Sequence, residues 1–412
     1  MSNKQAAIEI IRQLQQHGFQ ALLAGGCVRD MLLGRPAKDY DVATDALPAD
    51  VIRLFRRTLK VGAKFGVVIV LTHGEQVEVA TFRSEAGYED GRHPTEVRFT
   101  TPAQDASRRD FTINGMFYDP LREQVIDYVE GQADLARRII RTIGDPQERF
   151  SEDYLRMLRA VRFSTQLGFA IDPDTHAAIR RHSANIARIS GERIAIELEG
   201  ILAHPNRGAG AIMLVRTGLA EAIFPGFGGP GTWQALTVLT HLRRRVDFPL
   251  ALAAFFVGFP TDFAVQSCET LKLSRKHNEH MEFLLAHRGR LLDSEMSLAQ
   301  LKKLLAGPYF RDLYELERAI QKAAKADGKP TKGLASLARL HRRIRALRGV
   351  DVKPEPLLNG HDLMRLGASP GPSLGQLVEE LYIAQLEGEV QTKEQAEPWV
   401  RAWLQRHRSD EQ

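Results

Sequence analysis

Asp39 and Asp41 stand two residues apart in the run Lys38-Asp39-Tyr40-Asp41-Val42-Ala43-Thr44. On an extended segment that spacing sends both carboxylates to one face, where they repel one another unless a divalent cation sits between them. Just upstream, Gly25-Gly26-Cys27-Val28-Arg29-Asp30 reads as a glycine turn opening onto a helix. Free backbone N–H groups at such a turn hold phosphates. Glycine turn, short helix and Asp-x-Asp together suit Mg²⁺-assisted nucleotidyl transfer. Taken alone, the pair fits a surface Asp-x-Asp after an ordinary turn equally well, because the pattern is common.

Two later runs change that balance. Arg108-Arg109-Asp110-Phe111-Thr112-Ile113-Asn114 opens a helix-like segment. An arginine there can grip phosphate bidentately, and an aspartate can accept a bond from a ribose 2′-hydroxyl. The bland alternative is an ion pair at a helix start. Gly144-Asp145-Pro146 and Arg149-Phe150-Ser151-Glu152-Asp153-Tyr154-Leu155-Arg156 follow. Ser151 to Asp153 is predicted to cap a long helix reaching about Gln166, with Asp153 and Arg156 on one face. Cytosine and adenine both present an exocyclic amino donor beside a ring-nitrogen acceptor. A carboxylate and a guanidinium match that pattern. Guanine and uracil present the reverse, leaving both side chains unpaired at a cost on the order of several kcal/mol. Protein side chains then select C and A with no nucleic-acid template. The competing explanation is an intrahelical Asp–Arg bridge, which is common and worth little.

These runs, in this order, resemble the motif series of the class II tRNA nucleotidyltransferases (CCA-adding enzymes) and the closely similar bacterial poly(A) polymerases. The likeness resumes at Leu357-Leu358-Asn359-Gly360-His361-Asp362-Leu363 and Ala384-Gln385-Leu386-Glu387-Gly388-Glu389. The resemblance implies that Asp39 and Asp41 bind Mg²⁺ as catalytic carboxylates. Two such ions, about 4 Å apart, would activate an RNA 3′-hydroxyl and steady the leaving pyrophosphate. Glu78, on the predicted strand Val77-Glu78-Val79-Ala80, is a candidate third carboxylate. Gly25 and Gly26 let backbone approach the triphosphate, and Arg29 can neutralise it. The motif of Arg108, Arg109, Asp110 and Asn114 is assigned by the resemblance to ribose and triphosphate binding. Asp153 and Arg156 take the base-reading role, and Arg159 extends the same face. His361 is expected to be structural, and Tyr40, Phe111 and Tyr154 to be packing residues.

These groups need elements to carry them. The first ~145 residues alternate strand and helix patterns. Strands are predicted over 19–24, 39–44, 67–71, 77–82 and 125–129, with helices from Val28 and over 49–56. Val67–Leu71 and Val77–Phe82 pair as a hairpin through His73-Gly74-Glu75. The polar segment 84–96, carrying Gly87, Gly91 and Pro94, is predicted to be a mobile loop. A loop here is a mark of family members that add the terminal A, and C-only members typically lack it. From Ser151 onward strand signals almost vanish and helical periodicity recurs to about 347. The expected fold is an α/β nucleotidyltransferase head, a small mixed sheet with helices, followed by an all-α neck, body and tail. The boundaries read as 1–145 head, 146–225 neck with base recognition, 226–352 body and 353–412 RNA-binding tail.

Composition sets the outer limits. The 412 residues, 43% hydrophobic and 26% charged, describe an ordinary globular chain with room for several domains. Net charge is +5, which favours an anionic partner. The excess gathers at 329–353, where Lys329, Lys332, Arg339, Arg342, Arg343, Arg345, Arg348 and Lys353 face Asp351 alone; beside the motifs this reads as an RNA-backbone contact. Two distant cysteines argue against disulfides or a zinc site and for the cytoplasm. No signal peptide is expected, since 1–17 reads as a polar amphipathic helix, and the apolar run 248–260 is too short to span a bilayer. The expected activity is addition of C and A, or of the terminal A, to tRNA from CTP and ATP. Poly(A) polymerase is the alternative. A non-catalytic RNA-binding module and a small-molecule nucleotidyltransferase are weaker rivals.

Overall fold

The computed structural model describes residues 1–60, 65–88, 94–329 and 332–408. Contacts divide the chain into two compact units: Met1–Leu236 with Phe263–Ser274, and Thr237–Asp262 with the chain from Arg275 onward.

The first unit is built on a seven-stranded mixed sheet. Its strands are β1 (Ala21–Ala24), β2 (Asp41–Thr44), β3 (Thr58–Leu59), β4 (Val67–Thr72), β5 (Glu75–Thr81), and, after a separate two-stranded ribbon of β6 (Arg83–Tyr88) and β7 (Pro94–Phe99), β8 (Phe117–Asp119) and β9 (Gln124–Ile126). The spatial order is β3-β4-β5-β2-β1-β8-β9, with β2 and β5 parallel. Leu22, Ala24, Ala43, Phe82, Ala106 and Phe117 form a core behind it, where Phe82 meets Phe117 edge-on at 5.7 Å. Around the sheet lie α1 (Asn3–Gln16), α2 (Gly26–Leu32), α3 (Pro48–Leu54), α4 (Pro102–Ser107) and α5 (Gly131–Arg137). Helix α1 starts with a Ser2–Gln5 capping box and buries Ala6, Ala7, Ile10, Ile11 and Leu14.

Helix α6 (Pro146–Glu152) and helix α7 (Leu155–Leu167) follow, then α8 (Pro173–His182), α9 (Gly191–Leu202), α10 (Arg207–Arg216), α11 (Leu219–Ile223) and α12 (Pro230–His241). Short strands β10 (Ile139–Ile140) and β11 (Ala170–Ile171) pair in parallel. The remaining helices are α13 (Phe248–Phe255), α14 (Thr261–Glu269), α15 (Arg275–Ala286), α16 (Leu298–Ala306), α17 (Phe310–Ala326) and α18 (Gly333–Ala346). Three more complete the chain: α19 (Gly360–Arg365), α20 (Pro372–Glu387) and α21 (Lys393–Arg408). Every residue of α13 is buried, as expected of a core helix, and no described helix is long and apolar enough to cross a membrane.

Three local expectations need correction. Strand β2 begins at Asp41, so Asp39 lies in the approach to the strand; there the Tyr40 N–H donates to Asn3 Oδ1 at 3.0 Å instead of to a sheet partner. The segment 84–96 is not a bare loop. Its described part is the antiparallel β6–β7 ribbon, with Arg83 opposite Phe99; the tip at 89–93 lies outside the described residues. The long helix from Ser151 is two helices. Ser151 belongs to α6, and Asp153 breaks the chain with extended backbone (φ −148, ψ 104) before α7 starts. A carboxylate beside its own backbone competes for amide hydrogens: Asp153 Oδ1 accepts from the Leu155 N–H, the first amide of the second helix, at 3.0 Å.

Candidate active site

Sheet register gathers the first set of residues. Ala24 on β1 pairs with Asp41 on β2, and Val42 pairs with Val79 on β5, which sets Glu78 one step from Asp41 across the parallel ladder. Gly25 directly follows Ala24. Its φ of +76° is a glycine conformation, and a Cβ there would lie 2.9 Å from Arg109 Nη1. At Gly26 the nearest atom to such a Cβ is Arg29 Nη2 at 3.6 Å, so the protein itself leaves room.

A pocket of about 480 Å³ opens in front of this turn. Seven arginines (29, 108, 109, 156, 159, 162 and 193) line it against three aspartates (41, 110 and 153). That excess of positive charge matches a polyanion such as a nucleoside triphosphate. Gly25, Gly26 and Asn114 complete the expected members, joined by Leu155 and Phe163. Asp39 and Glu78 do not line the cavity, yet both act on Asp41. The Asp41 carboxyl is pushed up to about 6, first by the protein crowding around it, then by the like charges of Glu78 and Asp39, against Arg109. Asp41 keeps an open surface, so the repulsion among the three carboxylates is the part that a bound cation would relieve. Burial likewise pushes the neighbouring Cys27 thiol up to about 11, so it stays neutral and is no nucleophile.

The pocket wall is one connected network. Arg29 donates to Asn114 Oδ1 at 2.7 Å, and Asn114 Nδ2 donates to Asp110 Oδ1 at 3.1 Å. Asp110 Oδ2 accepts from Arg159 Nε at 2.9 Å and Nη2 at 2.5 Å. With the Phe111 N–H on Oδ1 as well, the carboxylate's four acceptor positions are all in use. Desolvation opposes its charge, but Arg159, Asn114 and the Phe111 amide outweigh that and hold it down at about 2. Arg29, Arg159 and Arg162 all lie over the Phe163 ring, Arg162 closest at 4.3 Å from its centroid.

Asp153 and Arg156 both reach the pocket, but from the break between α6 and α7 and from α7 itself rather than from one helical face. Asp153 Oδ2 pairs with Arg193 of α9 at 3.0 Å. Arg156, buried, donates Nη1 to the Arg149 carbonyl at 2.9 Å and to Glu152. The His361 backbone N–H donates to Asn359 Oδ1 at 2.9 Å at the start of α19, and Phe111 is fully buried against Phe163.

Sequence reasoning overlooked Asp105, Arg162 and Arg193. Asp105 is 1% exposed and ties down both Arg108 (2.7 Å) and Arg109 (2.9 Å). Its spacing of three and four residues from those arginines was a readable helical signal. Arg162 continues the three-residue step from Arg156 and Arg159, and Glu197 holds it at 2.6 Å. Arg193 comes from α9 and carried no local signal.

Among the described residues Asp247, His280 and Asp312, in the second unit, also bring possible metal-ligating atoms within 4.8 Å of one another. Arg243 already pairs with Asp312 at 2.6 Å, and the imidazole lies 3.7 and 3.4 Å from the two carboxylates. Asp312 is therefore already ion-paired with Arg243.

Comparison with known proteins places these features. Residues 21–141 match the Poly A polymerase head domain, 168–228 the RNA- and SrmB-binding region of polymerase A, and 250–397 the second domain of tRNA nucleotidyltransferases. The chain is 35% identical to the CCA-adding enzyme of Geobacillus thermodenitrificans over 99% of its own length and 98% of that protein. It is 46% identical to the Geobacillus stearothermophilus CCA-adding enzyme over 226 residues, 55% of each chain. Its fold is similar to the crystal structure of Bacillus stearothermophilus CCA-adding enzyme in complex with CTP, with a TM-score of 0.80 and 32% identity across 100% of this chain and 99% of that one.

Proposed function

The chain belongs to the CCA-adding enzyme family, and from that premise we propose that it adds C and A to the 3′ end of tRNA, with CTP and ATP as donors and no nucleic-acid template. The observation that carries this reading is the single pocket holding phosphate-gripping arginines, Asp41 and the Asp153–Arg156 pair together.

Residues 1–145 act as the catalytic head, 146–225 as the neck that reads the base, 226–352 as the body and 353–412 as an RNA-binding tail. Arg29, Arg108 and Arg109 neutralise the triphosphate, and the bare backbone at Gly25-Gly26 lets it approach. Asp110 takes the ribose 2′-hydroxyl by exchange with one Arg159 bond, and Asn114 holds Asp110 for that purpose. Asp153 accepts from the base amino group while Arg156 donates to the ring nitrogen, which admits C and A and leaves G and U unmatched. Arg159 extends this surface.

Asp39, Asp41 and Glu78 are hard oxygen donors crowded close enough to repel, a set that suits Mg²⁺. When bound there, magnesium supplies Lewis-acid activation of the RNA hydroxyl and charge relief at the pyrophosphate. Cys27 and Cys268, both buried and not joined to one another as a disulfide, support a reducing, cytoplasmic setting.

The deciding experiment supplies tRNA lacking its 3′ end together with each nucleoside triphosphate in turn and in combination. Arrest after C-C-A, or after a single A on tRNA ending in C-C, is the expected product. An A tail of unlimited length would replace this reading with poly(A) polymerase.

A further inference from the structure

Arg149 lies outside the pocket lining, yet it joins two parts of the pocket wall. It is 9% exposed. Its Nη2 donates to the carbonyl oxygens of Arg108 at 2.5 Å and Arg109 at 2.8 Å, just past the end of α4. Those carbonyls are the kind that a helix end leaves without intrahelical partners. Its Nη1 donates to Glu152 Oε2 at 2.5 Å, and the same oxygen accepts from Arg156 Nη1. The Arg149 carbonyl takes a second bond from that Arg156 nitrogen. The backbone carrying the triphosphate-gripping arginines and the guanidinium that reads the base therefore share one anchor.

We propose that Arg149 is a positioning residue for nucleotide selection, through which Arg156 and the Arg108–Arg109 segment take up their places as one unit. This rests on the function proposed above. A guanidinium is a rigid planar fork, so the Glu152 carboxylate and the two carbonyls cannot shift independently while all three bonds hold. A base that fails to engage Arg156 then also leaves the phosphate grip displaced, and selectivity appears in triphosphate capture as well as in base contact. Lysine keeps the charge but is a point donor without the fork.

The test uses the full chain with tRNA lacking its 3′ end. Separate kcat and KM values are measured for CTP, ATP, UTP and GTP, and inorganic tripolyphosphate serves as a base-free inhibitor. For Arg149→Lys the kcat/KM preference for CTP over UTP falls by at least about tenfold and the tripolyphosphate Ki rises several-fold. Glu152→Gln, which leaves both carbonyl bonds in place, lowers the preference while the tripolyphosphate Ki stays within about twofold. An Arg149→Lys enzyme that loses all four nucleotides by one common factor, or keeps its preference within about twofold, overturns the proposal. If Arg149→Lys does not fold, Glu152→Gln decides alone: an unchanged preference breaks the link and overturns it. A wild type that adds nothing to RNA overturns the function together with this inference. A selective wild type beside an equally selective variant overturns the inference only.

Discussion

Asp110 and Arg159, 49 residues apart, are joined by two bonds from one guanidinium to one carboxylate oxygen, at 2.9 and 2.5 Å. The pair ties the segment after α4 to helix α7, and its strength sets a pH dependence. The Asp110 carboxyl is depressed from the ordinary 3.8 to about 2. A depressed folded-state value means that the contribution is fully present above pH ~4 and is lost as pH falls toward ~2. Asp110→Asn is expected to cost about 2 kcal/mol at pH 7, and the difference from wild type should vanish between pH 4 and 2. Urea unfolding across that range measures it; a constant difference would refute the assignment.

Asp41→Asn is expected to abolish nucleotide addition, by about a thousandfold or more, while the protein folds normally. Removing one of three repelling carboxylates also relaxes the pocket in the absence of a cation. ATP binding without divalent ions, followed by calorimetry, should therefore be unchanged or tighter, in contrast to the lost activity.

The two glycines of the turn should respond differently. Gly25→Ala forces a left-handed alanine against Arg109, so a stability loss of about 1–2 kcal/mol and a raised KM for CTP are expected together. Gly26→Ala meets only ordinary van der Waals neighbours in the protein. Its effect should fall on KM, with the melting temperature nearly unchanged.

Arg156→Ala removes the ring-nitrogen donor from a buried site. The expected result is a fall of about 100-fold in kcat/KM for CTP and ATP, with a much smaller fall for UTP and GTP. Equal losses for all four nucleotides would make Arg156 a structural residue.

On α18, Arg339, Arg342 and Arg345 are exposed, whereas Arg343 turns inward to the Met296 carbonyl at 2.7 Å. Replacing the three exposed arginines by alanine is expected to weaken tRNA binding and to flatten its salt dependence by about one unit of slope for each phosphate no longer neutralised. The KM for CTP should not move. Arg343→Ala should instead lower stability.

The chemistry is readable in the linear chain because its local parts carry their own geometry. A glycine pair before a helix, an Asp-x-Asp at a strand start and arginines at helical spacing each constrain their neighbours within a turn or two. Hydrophobic periodicity places most of the helices up to about residue 347 for the same reason, while the long helices α20 and α21 beyond it are placed only by the tertiary structure. Strands as short as Thr58–Leu59, Phe117–Asp119 and Ala170–Ile171 escape such reading, since two or three residues hold no period. Asp153 is the instructive failure: its propensity to cap is legible, but packing against Arg193 and the preceding helix sets a break where an unbroken helix is expected. The assembly of Asp110 with Arg159, of Asp153 with Arg193 and of Arg149 with the Arg108 and Arg109 carbonyls depends on chain segments 40 or more residues apart. Such pairings follow from how the sheet and helices pack, and no spacing within a single run of residues encodes them.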